Sequence, residues 1–143
     1  MKNFSIYALL AAIIGALDAA YLTWVKLSHN EVLCAPGIGD CYTVNTSRYS
    51  ELYGIPIAIF GLATFLFIIA ILLLESRLPF LEENGSMIIF GVSLVGVIYS
   101  AYLSYLEEFV IHAWCPYCVL SAIMIVIIFI ISIMRLKQEG SRD

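Results

Sequence analysis

Charged residues are scarce in this 143-residue chain, where Lys, Arg, Asp and Glu together make up only 13%. A soluble globular domain carries about 25% charged residues, so the composition argues against that class. The seven Lys and Arg residues form no basic patch, which argues against a nucleic-acid partner. Apolar residues make up 62% of the chain and occur in long uninterrupted runs. The sequence therefore predicts an integral membrane protein embedded in a lipid bilayer.

Four apolar blocks can be recognised, each with the roughly 20 residues that an α-helix needs to cross the hydrocarbon core. The first block is longer than the core of a signal peptide, so we expect it to be retained. Little sequence remains for a soluble module, and we predict one all-α transmembrane domain over residues 1–143, folded as a four-helix bundle. The predicted helices cover approximately residues 4–27, 55–74, 87–106 and 115–134.

Small residues recur every four positions along two of the predicted helices, a spacing that lets transmembrane helices approach closely. They are Ala12, Ala16 and Ala20 in the first helix and Gly96, Ser100 and Ser104 in the third. We expect these two faces to pack inside the bundle.

The distribution of Lys and Arg predicts the orientation, because positive residues concentrate on the cytoplasmic side of a membrane. The N-terminus, the second loop (residues 75–85) and the C-terminus share one side, which holds Lys2, Arg77, Arg135, Lys137 and Arg142. The other side holds the first and third loops and has only Lys26 and Arg48. Both termini are therefore predicted to be cytoplasmic, and the long first loop, residues 28–54, to be extracytoplasmic.

Four cysteines form two pairs, and on this topology all of them lie at or beyond the extracytoplasmic surface, where disulfides persist. Cys34 and Cys41 belong to the first loop. The six residues between them include Pro36, Gly37 and Gly39, which allow the tight turn that would bring the two sulfurs together.

The second pair, Cys115 and Cys118, stands at the beginning of the fourth helix, where Pro116 suits the first helical position. Unpaired backbone N–H groups and the positive end of the helix dipole stabilise a thiolate at Cys115. Cys118 is expected about one helical turn deeper in the membrane. We therefore expect one sulfur to meet the aqueous side and the other to face the membrane.

Several titratable residues are candidates for proton transfer. Asp18 is predicted to lie about 13 Å of helix below the outer end of the first helix, and intramembrane carboxylates are commonly functional. Two interpretations stay open: a proton relay or hydrogen-bond partner of a quinone, and a hydrogen-bonded packing residue. His112 either assists Cys115 or is a surface residue without a role. Glu107 and Glu108 are interpreted as solvated.

The two cysteine pairs favour disulfide chemistry over a metal site, and we predict no metal. Zinc needs four ligands in closely spaced pairs, and the six-residue gap between Cys34 and Cys41 fits poorly. A thiol-based transporter of soft metals is the alternative, since such metals prefer Cys ligands, although no cysteine lies in mid-span or on the cytoplasmic side. Two inert disulfides are a third possibility, but a Cys-x-x-Cys at a helix start is more often reactive.

Two dithiol pairs can form an electron relay. An external protein would reduce Cys34 and Cys41, and the reduced loop would attack the Cys115–Cys118 disulfide through a mixed disulfide. Cys118 would then reduce an acceptor that dissolves in lipid and takes two electrons and two protons, which describes a quinone. We therefore predict a thiol:quinone oxidoreductase that supports disulfide formation, with all four cysteines catalytic.

The combined pattern resembles the vitamin K epoxide reductase family, its prokaryotic members above all. The resemblance covers about residues 10–125. It implies a four-helix bundle around a quinone of the ubiquinone or menaquinone type. The motifs that carry it are Cys34-x6-Cys41, Ser47, Gly54-Ile-Pro56 with Gly61, Tyr102-Leu-x-Tyr105 and Trp114-Cys-Pro-Tyr-Cys118.

The same resemblance implies roles and a partner. Cys118 would face the quinone, Cys115 would exchange with the loop, and Ser47 corresponds to the family's loop serine, a second candidate beside Asp18 for the quinone site. Electrons would come from a thioredoxin-fold protein of the DsbA type. Because the sequence ends at Asp143, we expect that partner to be a separate protein. The expected location is a prokaryotic plasma membrane, with the active site outside the cytoplasm.

Two positions differ from the animal members of that family. Those proteins have an Asn near the quinone where this chain has Ile57, and a Tyr where this chain has Ala122. The differences favour plain quinone reduction over reduction of the vitamin K epoxide.

Overall fold

Four long helices account for most of the computed structural model, which describes residues 2–28, 48, 51–112 and 115–142. Within these residues, all four helices are long and apolar enough to cross a membrane. The predicted all-α bundle of membrane-spanning helices is thereby confirmed. The helices are α1 (Lys2–Ser28), α2 (Ile57–Leu74), α3 (Pro79–Leu106) and α4 (Pro116–Gly140).

Two helices extend beyond their apolar blocks. α3 begins at Pro79 rather than near residue 87, because Pro fits the first helical position and the polar residues after it continue the helix. α4 runs to Gly140 rather than to residue 134. The 28 residues of α3 measure about 42 Å, which exceeds a hydrocarbon core of about 30 Å. The predicted second loop of residues 75–85 is therefore reduced to residues 75–78.

A short β-hairpin precedes α2 at the point where the sequence predicted the helix itself to start. β1 (Glu51–Leu52) pairs antiparallel with β2 (Ile55–Pro56). Tyr53 and Gly54 form the turn, and both have positive φ (54° and 80°), as a type I′ turn requires. Nζ of Lys26, near the end of α1, lies 3.2 Å from Oε1 of the first residue of β1. This ion pair joins the hairpin to α1.

Neighbouring helices run antiparallel and approach each other at small residues. Gly15 of α1 lies against the ring of Phe65 of α2, so a methyl group there would overlap the ring. Gly96 of α3 lies against Ile125 of α4, and a methyl group there would also be too close to that side chain. Ala20, Ser100 and Ser104, which the sequence assigned to the packing faces, are half-buried. The buried apolar core includes Ala11, Ala12, Ala16, Ala19, Ile68, Ile71, Ile89 and Ile128.

Polar contacts join the helices at the end of the bundle where the described chain begins and ends. Arg135 of α4 forms an ion pair with Glu75, the residue after α2. Ser86 of α3 donates a 2.6 Å hydrogen bond to Glu139 of α4. The sequence predicted that Arg135 meets water on the cytoplasmic side. Instead, its side chain is only 2% exposed, and the ion pair holds it inside the bundle. The side of the membrane that this end faces stays a prediction.

Candidate active site

Cys115 and Cys118 stand at the beginning of α4, as predicted. Cys115 precedes the helix with extended backbone angles (φ −106°, ψ 114°), and Pro116 is the first helical residue. The Cys115 carbonyl accepts the first helical hydrogen bond, from the N–H of Val119 at 3.1 Å. The N–H groups of the first turn, which have no partner within the helix, therefore lie beside the cysteine pair.

The two thiols differ in exposure, but the more exposed one is Cys118 and not Cys115. Cys115 is 0% exposed and packs against Leu22 of α1, while Cys118 is partly exposed. The sequence predicted that one sulfur meets the aqueous side, whereas the structure buries Cys115 completely. The two side chains are hydrogen-bonded to each other and are present as thiols. A partner thiol therefore reaches Cys115 only after neighbouring groups move.

A cavity of about 730 Å³ begins at Cys118 and follows the inner face of α3. All four helices contribute to its walls, and the lining residues of α3 and the turn that follows it extend from Met87 to Glu107. This stretch measures about 30 Å, close to the thickness of a hydrocarbon core. Most of the walls are apolar. The polar lining residues are Thr64, Tyr99, Ser100, Ser104, Glu107, Cys118 and Ser121.

Asp18 lies behind this wall. Its side chain is 6% exposed, and Oδ2 accepts a hydrogen bond from the Ser121 hydroxyl of α4. Ser121 lines the cavity one helical turn after Cys118. Ser121 was not predicted as a site residue, although its spacing of three residues from Cys118 places it on the same side of the helix. Asp18 is thus near the thiol pair, with Ser121 between its carboxyl group and the cavity.

Glu107 is buried, in contrast to the prediction that it is solvated. It begins a π-helical turn, Glu107–Ile111, that follows α3, and its side chain is 4% exposed. The carboxyl group meets two hydrogen-bond donors, the backbone N–H of Cys115 and the thiol of Cys118. A signal was present in the sequence: Glu107 follows Gly96 by three helical turns and so continues the inner face of α3. Glu108, by contrast, is exposed as predicted.

The π-helical turn ends at His112, whose φ of 55° is left-handed. This conformation is uncommon for residues other than Gly, and His is among the residues that adopt it more readily. The imidazole is exposed at the surface. The structure thus gives His112 a place at the end of the turn, three residues before Cys115.

Three predicted site residues, Cys34, Cys41 and Ser47, lie outside the described residues. The structure brings Cys115, Cys118 and Asp18 together at one end of the bundle and adds Glu107 and Ser121 to them. In the part of the chain that the structure describes, no three His, Cys, Asp or Glu side chains are grouped so that they could hold a metal ion.

Comparison with known proteins identifies a matching family and a similar protein. A family model described as "Vitamin K epoxide reductase family" matches residues 6–133. The thiol-disulfide oxidoreductase LTO1 of Arabidopsis thaliana is 33% identical over 128 residues, which cover 86% of this chain and 34% of that protein. The chain therefore spans about a third of the length of this relative.

Proposed function

Since the chain belongs to the vitamin K epoxide reductase family, we propose that it passes electrons from dithiols outside the cytoplasm to a quinone dissolved in the membrane. The family and the similarity to a thiol-disulfide oxidoreductase support the role of a membrane thiol oxidoreductase. The quinone, the donor protein and the direction across the membrane belong to the proposal.

The observation that carries the proposal is the position of Cys118. Its thiol borders the cavity, while Cys115 is buried beside it. Small-molecule sites are clefts of about 300–1,000 Å³ with mostly apolar walls and a few polar groups. A cavity of about 730 Å³ with hydroxyl groups at Ser100 and Ser104 agrees with that description. A quinone ring is flat and largely apolar and has two carbonyl oxygens. The apolar walls suit the ring, and the serine hydroxyl groups can donate hydrogen bonds to the oxygens.

The proposed relay uses both cysteine pairs in sequence. A thiolate of the reduced Cys34/Cys41 pair attacks the sulfur of Cys115 and releases Cys118 as a thiolate. The second loop thiolate then attacks the mixed disulfide, which closes the loop disulfide and leaves Cys115 and Cys118 reduced. Cys118 and Cys115 next form their own disulfide and deliver two electrons and two protons to the quinone, which becomes a quinol.

The electron donor in this proposal is a thioredoxin-fold protein that meets the loop cysteines. The protein would reside in a prokaryotic plasma membrane, with both cysteine pairs on the extracytoplasmic side. The reaction would then keep the donor oxidised and so support disulfide formation in that compartment. Ser47 and Asp18 remain candidates for contact with the quinone.

The experiment measures quinone reduction by its absorbance change, with purified protein in detergent and dithiothreitol or a reduced thioredoxin-fold protein as electron donor. Cys115→Ser and Cys118→Ser should abolish turnover with either donor. Cys34→Ser and Cys41→Ser should abolish turnover with the protein donor only, because a small dithiol can reach the inner pair directly. Unchanged turnover in all four variants would contradict the relay.

The same preparation tests the alternative of a soft-metal transporter. A transporter would bind Hg²⁺ or Cu⁺ in a fixed ratio through these thiols and would show no quinone reduction. Quinone-dependent oxidation of Cys115 and Cys118, detected by mass tagging of thiols, would exclude that alternative as the main activity.

A further inference from the structure

Glu107 combines three features that the relay does not explain. Its side chain is buried, it lines the cavity, and its Oε2 has no hydrogen-bond partner among the described residues. Burial of a polar group without a partner is costly, because water no longer solvates it. Such groups are rare in folded proteins, and each needs a reason for being there. Glu107 is also the only acid among the described residues that line the cavity.

The surroundings of Glu107 place it against the reacting sulfur. Its carboxyl group meets the thiol of Cys118 and the backbone N–H of Cys115. Asp18 of α1 also lies near Cys118, and its Oδ1 likewise has no hydrogen-bond partner among the described residues, but its Oδ2 accepts a hydrogen bond from Ser121 and its side chain does not line the cavity. The described residues of α2 that line the cavity include no titratable group. Glu107 is therefore the carboxyl group that contacts both the cavity and a reacting thiol.

We propose that Glu107 is a catalytic base that takes the proton of the Cys118 thiol and passes it to an oxygen of the electron acceptor in the cavity. This inference rests on the proposed function and names the group that carries its protons. A positioned carboxylate is suited to this task because proton transfer needs a base within hydrogen-bond reach of the proton that it removes.

The step balances in atoms and electrons. The S–H bonds of Cys115 and Cys118 break and one S–S bond forms, while two electrons and two protons reach the quinone and convert it to a quinol. Glu107 accepts a proton from Cys118 and releases it to the quinone oxygen, so it ends the step as a carboxylate again. The Cys115 thiol is hydrogen-bonded to Cys118, so its proton follows the same route.

A purely structural role is the competing explanation. Glu107 could serve only to accept the Cys115 N–H and so hold the start of α4 in place. Gln has nearly the same volume and keeps the accepting oxygen, but it cannot take up a proton. Asp keeps the acid on a shorter side chain. The two explanations therefore predict opposite orders of activity for Glu107→Gln and Glu107→Asp.

The test compares wild type, Glu107→Gln, Glu107→Asp and the neighbouring exposed control Glu108→Gln, with dithiothreitol as donor and a short-tailed quinone as acceptor. General-base catalysis contributes about 10²- to 10⁴-fold, so we expect Glu107→Gln to lose about 100-fold or more in kcat. KM for the quinone should change little. Glu107→Asp should retain more activity than Glu107→Gln, and Glu108→Gln should match wild type.

The pH profile supplies a second readout. Without the carboxylate, the Cys118 thiol has to lose its proton to water, so turnover of Glu107→Gln should increase as the pH is raised. Wild type should depend less on pH over the same range. A merely structural role would leave the shape of the profile unchanged.

The outcomes separate the two proposals. If wild type does not reduce the quinone, the proposed function has failed, whatever Glu107 does. If wild type is active and Glu107→Gln equals it, the base is not Glu107. Should Glu107→Gln prove less stable in a thermal melt, Glu107→Asp decides, because turnover no higher than that of Glu107→Gln would overturn the inference.

Discussion

Ser121 of α4 donates a hydrogen bond to the carboxylate of Asp18 of α1, and this contact links residues 103 positions apart in the sequence. It lies one helical turn below Cys118, at the wall of the cavity. Asp18 is thus paired with a residue of the cysteine-bearing helix, and this contact fixes α1 and α4 relative to each other beside the cysteine pair.

Asp18→Asn and Asp18→Ala should separate the two interpretations of this carboxyl group. Asn keeps an oxygen for the Ser121 hydroxyl, so we expect near wild-type stability and quinone reduction. Ala removes the acceptor of this half-buried hydroxyl, and loss of such a hydrogen bond costs about 0.5–1.5 kcal/mol. Thermal unfolding in detergent and the quinone assay check both. A large loss of turnover in Asp18→Asn at unchanged stability would instead assign Asp18 a proton relay.

Cys118→Ser should trap the relay halfway. In this variant Cys115 can attack the loop disulfide between Cys34 and Cys41, which frees one loop thiol. Cys118 is absent, so the mixed disulfide can be resolved only by that loop thiol, which returns the protein to its starting state. We expect a Cys115–loop disulfide that peptide mass spectrometry detects without reductant. Cys115→Ser is the matched control and should give much less of it. Because Cys115 is buried, the trapped species also requires the start of α4 to open.

Gly96→Ala should destabilise the bundle, whereas Gly91→Ala should not. A Cβ at residue 96 would lie 2.7 Å from Cγ1 of Ile125, while one at residue 91 meets nothing within 4 Å. Overpacking of this kind costs about 1–3 kcal/mol, and the methyl group in open space adds only the modest gain of Ala over Gly in a helix. Thermal unfolding of both variants checks this; equal melting temperatures would mean that α3 and α4 adjust freely.

Arg135→Leu should be among the most destabilising single substitutions. It leaves Glu75, whose side chain is only 16% exposed, without its partner, and breaking a buried ion pair costs about 3–5 kcal/mol, an upper value for this partly exposed pair. The double variant Arg135→Leu with Glu75→Leu should recover part of this loss, because no buried charge remains. The free energies of unfolding of the wild type, the two single variants and the double variant, measured with denaturant or heat, complete this double-mutant cycle.

The ion pair between Lys26 and Glu51 is the control for that cycle. Its side chains are 11% and 47% exposed, and pairs in contact with solvent contribute about 0–1 kcal/mol. Lys26→Ala should therefore change stability little. A loss as large as that of Arg135→Leu would show that the hairpin, and not the buried pair, holds the helices together.

The helices and the cysteine motif were predictable because their signals are local. Runs of about 20 apolar residues form helices in a bilayer. Pro116 marks the start of α4, because proline has no N–H and its fixed φ fits the first helical position. The helix ends were less predictable. α3 begins at Pro79, before its apolar run, and the polar residues that follow Pro79 are helical although hydropathy alone assigns them to a loop. The type I′ turn at Tyr53 and Gly54 places a large residue at a positive φ, which sequence preference alone does not favour.

The burial of charged residues could not be predicted in the same way. Glu107 and Arg135 both stand near helix ends, where charged side chains usually meet water. Whether they turn inward depends on the neighbouring helix, because Cys115 and Cys118 of α4 face Glu107 and Glu75 faces Arg135. Those contacts join residues far apart in the sequence, and a single sequence does not show which distant residues come into contact.

Cys115 and Arg135 stand about 30 Å apart along the same helix, since 20 residues separate them. The Arg135–Glu75 ion pair anchors one end of α4, and the cysteine pair that we propose to exchange disulfides stands at the other. Local loosening that exposes Cys115 to a partner therefore does not need to disturb the anchor. Substitutions beside Cys115 therefore need not weaken the contact between Arg135 and Glu75.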